Sequence, residues 1–366
     1  MTAPRLEINL DKIRHNARSL VERLGKRGIS VTGVTKATLG SPDIAGALLA
    51  AGVQTLGDSR IENIEAMRRA SVLAPMTLIR SPMLSQVERV VASAAVSFNT
   101  ELTVIRELSV AACEANRTHG IVLMVELGDL REGIMPGDVE STVRAMLRLP
   151  NVALKGIGTN LACRCGVSPD ARNMAELSAL ADSIETTFGL TLDIVSGGNS
   201  ANLNWAFSDS DTGRINDLRL GESILLGREP LHRQPIDGLF TDAITLIAEV
   251  IESKMKPSLP WGATAQNAFG DAPSITNRGQ FSQSILAIGR QDVDPSGLDP
   301  EPEFKILGAS SDHLIVDSGS ELVPVGTEVA FQLNYGSVLS TMTSPFVTKV
   351  VKRPTANPAP AGDTND

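Results

Sequence analysis

A lysine ends an apolar run near the start of the chain, where Val31-Thr-Gly-Val-Thr is followed by Lys36 and Ala37. An amine in a partly desolvated pocket loses its proton more easily than one in water, and the neutral amine can attack a carbonyl group to form a Schiff base. A lysine at a strand end can equally well reach solvent and do no chemistry. Whether Lys36 forms a Schiff base or only reaches solvent depends on the residues that surround it.

Two glycine- and serine-rich segments later in the chain are suited to an anionic ligand. Residues 195–200 read Val-Ser-Gly-Gly-Asn-Ser, and residues 218–223 read Leu-Arg-Leu-Gly-Glu-Ser. Glycines let the backbone approach a ligand closely, and amide N–H groups with a serine hydroxyl suit a phosphate. The predicted ligand-binding residues of the two segments are Ser196, Gly197, Asn199, Ser200, Gly221, Glu222 and Ser223.

The elements that must position these residues form a repeat of strands and helices. Segments with helical spacing separate the apolar runs; in one of them, residues 11–20, Asp11 is the expected N-cap. Parallel strands need crossover connections, and eight strands close a barrel, so the pattern predicts a (β/α)8 TIM-type barrel. The eight strand-like runs are 31–37, 55–58, 77–80, 96–98, 121–128, 154–161, 193–197 and 218–220.

The pattern changes after about residue 236, where apolar runs follow one another without long helices between them. This is typical of a mostly antiparallel β domain. The runs are 243–251, 283–288, 305–307, 313–317, 328–333 and 346–351. We predict a barrel at residues 11–236, a C-terminal β domain at 237–353, a disordered polar tail at 354–366 and, within residues 1–10, a strand that packs with the β domain.

This architecture brings Lys36 and the two glycine-rich segments together. Lys36 follows the first barrel strand, and the segments follow the seventh and eighth, where a barrel that binds phosphate holds it. The sequence therefore predicts a phosphate-bearing cofactor at the barrel mouth. A lysine at this position is typical of one class of pyridoxal-phosphate (PLP) enzymes.

Three more strand-end side chains are candidates for cofactor binding. Arg219 is predicted to face the pyridine nitrogen or, alternatively, to form an ion pair; because arginine keeps its proton, it would leave that nitrogen unprotonated and favour simple proton transfer. Arg131 is a candidate for the cofactor's phenolic oxygen or a substrate carboxylate, or else forms a surface ion pair. Asn160 is a candidate to lie over the cofactor ring.

The chain resembles the fold-type III PLP enzymes of the alanine racemase superfamily, and among them the ornithine racemase-like amino-acid racemases. The resemblance runs from about residue 6 to about residue 350 and therefore spans both predicted domains. Its most specific motifs are Leu-Gly-Glu-Ser at 220–223 and Ile-Leu-Gly-Ala-Ser-Ser-Asp-His-Leu-Ile-Val-Asp at 306–317. Further matching stretches are 34–36, 57–60, 126–133, 155–158, 194–200, 226–229, 256–260 and 286–289.

The resemblance implies that Lys36 carries PLP, that Ser200 and Gly221 hold the phosphate, and that Arg219 faces the ring nitrogen. It also implies a head-to-tail homodimer in which the β domain of one subunit completes the other's active site. The substrate would be a small amino acid, ornithine or another basic one. A carboxylate for its cationic side chain would come from Asp292, Asp294 or Glu222.

The chain departs from alanine racemase at the second acid–base residue. Alanine racemase has a tyrosine in an Ile-Gly-Tyr context, whereas this sequence has Arg290 after Ile-Gly. A racemase needs acid–base groups on both faces of the substrate. The candidates are His313, Asp292 and Tyr335, each expected from the partner subunit, and His313 fits best because histidine titrates near neutral pH.

Composition limits the remaining possibilities. The 366 residues suit two domains, and a net charge of -9 without a long Lys/Arg cluster disfavours nucleic-acid binding. No run of about 18 apolar residues predicts a membrane span, and no signal peptide is recognised. The three cysteines form no disulfide framework, which fits a cytoplasmic protein. Cys163 and Cys165 are read as two thiols at a strand end rather than half a metal site, and no metal is predicted.

The sequence therefore predicts a PLP-dependent amino-acid racemase that works by two-base α-proton transfer. Two alternatives use the same barrel. A non-catalytic PLP carrier would stop after the barrel, and the β domain of roughly 115 residues argues against it. A metal-assisted lyase, similar to D-threonine aldolase or D-serine dehydratase, would need a metal site in the β domain, for which Asp312-His313 gives only a faint likeness.

Overall fold

The computed structural model describes residues 2–270 and 276–353. Its larger part is a closed barrel of eight parallel strands, which confirms the predicted fold class. The barrel strands are β2 (Ser30–Val34), β3 (Thr55–Asp58), β4 (Met76–Leu78), β5 (Val96–Asn99), β6 (His119–Met124), β7 (Val152–Gly158), β8 (Ile194–Ser196) and β9 (Asp217–Leu220). Each overlaps one of the eight predicted runs, and β2 closes the barrel by pairing with β9.

Helices cover the outer faces of the barrel strands; α1 precedes the first of these strands, and the others follow them. They are α1 (Leu10–Gly25), α2 (Pro42–Ala50), α3 (Ile61–Arg69), α4 (Val87–Ser93), α5 (Leu102–Glu114), α6 (Val139–Met146), α7 (Ala171–Phe188), α8 (Leu203–Ala206) and α9 (Glu222–Leu226). In α1 the residues Ile13, Ala17, Leu20 and Leu24 recur at helical spacing and are fully buried. The helices pack with strand residues such as Leu56, Ile121 and Leu123 in one large apolar core, and Phe98, Val122 and Met124 of the barrel strands form a second, separate cluster.

The start of α1 corrects one prediction. Asn9, not Asp11, is the N-cap, because the Asn9 side chain accepts the Lys12 N–H at 3.1 Å. Asp11 lies instead in the first turn, where its negative charge is favourable at the positive end of the helix dipole. At α2 the N-cap is Ser41 and Pro42 occupies the first turn, a position where the missing proline N–H costs nothing.

The C-terminal part is a mostly antiparallel sheet. Its elements are β1 (Arg5–Asn9), β10 (Ile244–Pro257), β11 (Gln280–Leu286), β12 (Leu298–Pro300), β13 (Lys305–Ala309), β14 (Leu314–Asp317), β15 (Glu328–Leu333), α10 (Tyr335–Thr343) and β16 (Thr348–Lys352). As expected, β1 joins this sheet, pairing with β10 and β16. The short strand β12 and the helix α10 were not predicted. The predicted tail, residues 354–366, lies outside the described residues.

Candidate active site

Lys36 lies at the C-terminal mouth of the barrel, in a tight turn directly after β2. A single 3-10 turn, Lys36–Thr38, follows the strand, and the Thr35 N–H and hydroxyl bond to Gly57 and Asp58 of β3. Gly40 closes the turn with φ +64, and a Cβ there would lie 2.8 Å from Asn63 Cβ, so the position requires glycine. The turn therefore holds the Lys36 backbone in one place.

The cavity in front of Lys36 has a volume of about 660 Å³, within the range of small-molecule sites. Burial lowers the pKa of the Lys36 amine below its ordinary value. A larger fraction of the amine is therefore neutral near pH 7, as attack on a carbonyl group requires. Of the predicted ligand-binding residues, those that line the same cavity are Lys36, Arg131, Asn160, Asn199, Ser200, Arg219, Gly221 and Glu222.

Neutral hydrogen-bonding groups form one end of the cavity. Ser200, which follows β8, and Ser223, which follows β9, have hydroxyl oxygens 3.0 Å apart, and the Ser223 N–H donates to Ser200 Oγ. Gly221 also lies at this end, and a Cβ there would be only 3.2 Å from Val34 of β2. Ser200 and Gly221, next to a reactive amine and with Ser223 holding the Ser200 hydroxyl from behind, form a set of groups that fits a phosphate-bearing aldehyde.

Arg219 of β9 is buried and firmly held. Its guanidinium donates to Ser196 Oγ at 2.6 Å, to the Thr159 carbonyl at 2.8 Å and to Asn160 Oδ1 at 3.2 Å. Ser196 in turn donates to the carboxylate of Asp217. Burial lowers the pKa of Arg219 to about 10, with the Asp217 carboxylate opposing that shift. Arg219 is therefore a fixed cation near neutral pH.

Three predicted ligand-binding residues do not line the cavity. Ser196 is fully buried and serves as the link between Arg219 and Asp217. Gly197 packs into the core, where a Cβ would lie 2.8 Å from Ile215. Ser223 is fully buried behind Ser200. The structure thus places these three behind the residues that face the cavity, which corrects their prediction as direct ligands.

The loops after β6 and β7 form another part of the cavity wall. The Glu126 carboxylate accepts the N–H groups of Gly128, Leu130 and Arg131, which fixes the loop that presents Arg131. Arg131 forms an ion pair with its neighbour Glu132 at the cavity edge. Both predictions made for Arg131, a binding residue and an ion pair, are therefore compatible with its position.

Cys163 and Cys165 lie in the loop after β7 rather than at a strand end. The Asp129 carboxylate accepts the N–H groups of both cysteines and of Arg164. Cys163 lines the cavity and receives a hydrogen bond from Asn160 Nδ2 at 2.8 Å. Among the described residues, no group of three or more His, Cys, Asp or Glu side chains could hold a metal ion.

Tyr335 lies beside Lys36 within the same chain, which corrects the expectation that it comes from a partner subunit. It begins α10, which packs against the Lys36 turn of the same chain, and Lys36 Nζ lies 5.9 Å from the Tyr335 ring centroid. Burial, and then the nearby Glu222 carboxylate, raise the pKa of the Tyr335 hydroxyl well above its ordinary value. The hydroxyl therefore stays protonated near neutral pH and is suited to donating a hydrogen bond rather than to accepting a proton.

The other two candidate bases are not close to Lys36 within one chain. Asp292 is buried in the β domain, where its carboxylate accepts a hydrogen bond from Ser344 Oγ at 2.7 Å. His313 is partly exposed, with Nδ1 2.8 Å from Asp312 Oδ1. Neither residue lines the cavity.

Several cavity-lining residues were not predicted. Arg80 follows β4, so the rule that strand ends form the mouth of a barrel could have identified it. Arg233 lies in an irregular segment after α9, has a φ of +60, and forms an ion pair with Glu222. No pattern in the sequence indicates that Arg233 reaches the cavity.

Fold and cavity together define a two-domain barrel enzyme with a reactive lysine in the barrel mouth. Residues 8–229 match the family model of the alanine racemase N-terminal domain. Ornithine racemase of Acetoanaerobium sticklandii is 38% identical over 350 residues, 94% of this chain and 99% of that protein. Lysine racemase of Thermotoga maritima is 38% identical over 352 residues, 96% of this chain and 99% of that protein. The chain belongs to the alanine racemase family.

The fold is also that of solved alanine racemases. The alanine racemase of the D-cycloserine producer Streptomyces lavendulae superposes with a TM-score of 0.75 at 21% identity, covering 97% of this chain and 99% of that one. Racemases of this family depend on PLP in general. The comparisons favour the predicted racemase over the carrier and the lyase.

No described helix is long and apolar enough to cross a membrane.

Proposed function

We propose that this chain is a PLP-dependent racemase of a basic amino acid, ornithine or lysine. The observation that carries the proposal is the position of Lys36, whose amine has a lowered pKa and lies in one cavity with Ser200, Gly221 and Arg219. The two relatives that match over nearly their whole length, an ornithine racemase and a lysine racemase, support the substrate class.

Each part of the cofactor has a candidate partner among the residues at the cavity. Lys36 would hold it covalently, Ser200 and Gly221 would hold its phosphate, and Arg219 would face its ring nitrogen. Arg131 would bind its phenolic oxygen or the substrate carboxylate. When bound, the cofactor withdraws electrons from the substrate α-carbon and so makes the α-proton more acidic.

The side chains then have distinct tasks. Lys36 moves a proton to or from the α-carbon on its own face of the substrate. Arg219 keeps its own proton, so it donates a hydrogen bond without protonating the ring nitrogen, which limits side reactions. Asn160, hydrogen-bonded to Arg219, completes the wall beside the ring. The protonated Tyr335 hydroxyl would donate a hydrogen bond to a group bound beside Lys36.

Inversion also requires an acid–base group on the opposite face. We propose that the partner subunit of a head-to-tail homodimer supplies it, from His313 or Asp292. Among the described residues that line the cavity, Tyr335 is the one that comes from the β domain of the same chain, which leaves the outer side of the cavity free for a second β domain.

A cytoplasmic location stays a prediction.

The deciding experiment combines a spectrum with an exchange assay. Purified protein with added PLP should show a visible absorption band that is missing in Lys36→Ala. Incubation in deuterium oxide with L- and D-ornithine, lysine, arginine, alanine and serine should give α-deuteration with inversion of ornithine or lysine. A band without exchange would indicate a carrier, activity lost to a chelator would indicate a lyase, and the absence of any band would overturn the proposal.

A further inference from the structure

Acidic side chains are scarce around the cavity, so few groups are available to bind the cationic side chain of a basic substrate. Of the described residues that line the cavity, two are acidic, Glu132 and Glu222. Asp292 and Asp294, the other carboxylates considered from the sequence, do not line it. Glu132 already forms an ion pair with Arg131, the residue proposed to bind an anionic oxygen. Glu222 is therefore the carboxylate to consider for a cation.

Glu222 is held in an unusual environment for a carboxylate. Its side chain is only 16% exposed, and its one ion pair among the described residues is with Arg233, whose side chain is 58% exposed. Burial raises the pKa of the Glu222 carboxyl group, with the Arg233 charge as the main opposing influence. A buried carboxylate stays ionised only while a cation accompanies it.

Hydrogen bonds hold the backbone of the segment that carries Arg233, whereas the arginine side chain is largely exposed. The Glu229 carboxylate accepts the N–H groups of Leu231 at 2.7 Å and of His232 and Gln234 at 3.0 Å, so the backbone around Arg233 is fixed. The guanidinium itself lies at the solvent-exposed edge of the cavity. Because the Glu222 carboxylate is buried, Arg233 can leave it at low cost only if another cation takes its place.

We propose, resting on the racemase function above, that Glu222 binds the side-chain ammonium group of the basic substrate and that Arg233 is the cation it displaces. Exchange of one cation for another keeps the Glu222 charge balanced. A neutral side chain of equal length would leave Arg233 in place or leave the carboxylate without a partner. The pair therefore favours ornithine and lysine over neutral amino acids. Tyr335 lies 5.9 Å from the Lys36 amine, measured to its ring centroid, and near enough to Glu222 to feel its charge.

A competing role for the same pair is to bind the cofactor phosphate. Glu222 lies between Gly221 and Ser223, so the Arg233 guanidinium could complete the phosphate site while Glu222 merely orients it. The two roles differ in what Arg233 stabilises. Binding of the phosphate would make Arg233 important for PLP but not for pyridoxal, which lacks the phosphate.

The first test compares ornithine with norvaline, which has the same carbon chain without the ammonium group. In Glu222→Gln the ratio of kcat/KM for ornithine to that for norvaline should fall roughly 10- to 100-fold, the value of a charged hydrogen bond. Glu222→Asp should keep an intermediate ratio. The matched control, Glu132→Gln, should change both substrates alike and leave the ratio near that of the wild type. An unchanged ratio in Glu222→Gln would overturn the assignment.

The second test uses Arg233→Ala and measures cofactor affinity rather than activity. The ratio of the Kd values for PLP and pyridoxal should match that of the wild type, while KM for ornithine should stay the same or fall because a competing cation is gone. A selective loss of PLP affinity would assign the pair to the phosphate and refute the substrate role. Failure of the wild type to invert either basic amino acid would instead reject the proposed function itself.

Discussion

The Arg219 guanidinium is joined to the Asp217 carboxylate by a single hydroxyl group, that of Ser196, which accepts from Arg219 at 2.6 Å and donates to Asp217. All three side chains are buried. The two charges are therefore balanced without direct contact, and Arg219 is held in one orientation toward the cavity.

Removing this hydroxyl should affect both stability and the cofactor. In Ser196→Ala, Arg219 and Asp217 each lose a hydrogen bond inside the protein, which should cost about 1–3 kcal/mol of unfolding free energy. The freed guanidinium should also shift the absorption maximum of bound PLP. The matched control is Thr32→Val, because Thr32 donates to the same carboxylate at 2.7 Å but not to Arg219. It should lower stability without moving the absorption maximum; an equal spectral shift in both variants would contradict the role of Ser196.

Lys36 should react at a lower pH than surface lysines do. The neutral amine is the reactive form, so the lowered pKa extends its reactivity toward neutral pH. Reductive methylation of the cofactor-free protein, followed residue by residue with mass spectrometry over a range of pH, should label Lys36 with a lower midpoint than the exposed Lys26. Equal midpoints for the two lysines would show that burial does not activate Lys36.

Tyr335 is the single tyrosine of the chain, so its ionisation can be followed directly. Burial and then the Glu222 charge raise its pKa, so tyrosinate absorbance should appear only above the ordinary value of about 10. Glu222→Gln removes the negative charge and should lower that midpoint, and Tyr335→Phe should abolish the signal. A wild-type midpoint at or below about 10 would restore Tyr335 as a candidate base.

The sequence predicted the barrel and a part of the cavity lining because both follow from local patterns. Each barrel strand is a short apolar run, and Lys36, Ser200 and Arg219 lie at or just beyond strand ends, which the fold brings to one mouth. Arg233 was not predicted, and Tyr335 was predicted only as a residue of the partner subunit, because both positions depend on long-range packing. The helix α10 has an N-cap, Asn334, but Gly336 in its first turn is a poor helix former, and packing on the Lys36 turn places Tyr335 in the cavity.

A mixing experiment can test whether His313 acts across subunits. Lys36→Ala and His313→Ala should each be inactive alone. If the β domain of one subunit completes the other's site, a mixed dimer contains one site with both residues intact. Random exchange of subunits should then restore roughly a quarter of wild-type activity. Asp292→Asn can replace His313→Ala in a parallel mixture, and no recovery in either mixture would reject a base supplied by the partner.

Asp129 should stabilise the loop after β7 in a pH-dependent way. Although burial opposes it, four backbone N–H donors, those of Cys163, Arg164, Cys165 and Val167, together lower the pKa of the Asp129 carboxyl group. A group whose pKa is lower in the folded state adds stability above its unfolded pKa of about 3.9 and loses it as the pH falls through the folded value.

Asp129→Asn should therefore cost about 1–3 kcal/mol of unfolding free energy at pH 7 and progressively less below about pH 4. Urea denaturation of the wild type and the variant at both pH values measures this. The control Asp193→Asn removes an exposed carboxylate paired with Lys155 and should cost less than about 1 kcal/mol. Because the loop carries Cys163 into the cavity wall, Asp129→Asn should also raise KM for the amino acid. A cost that does not change with pH would mean that the amides bind the Asp129 side chain regardless of its charge.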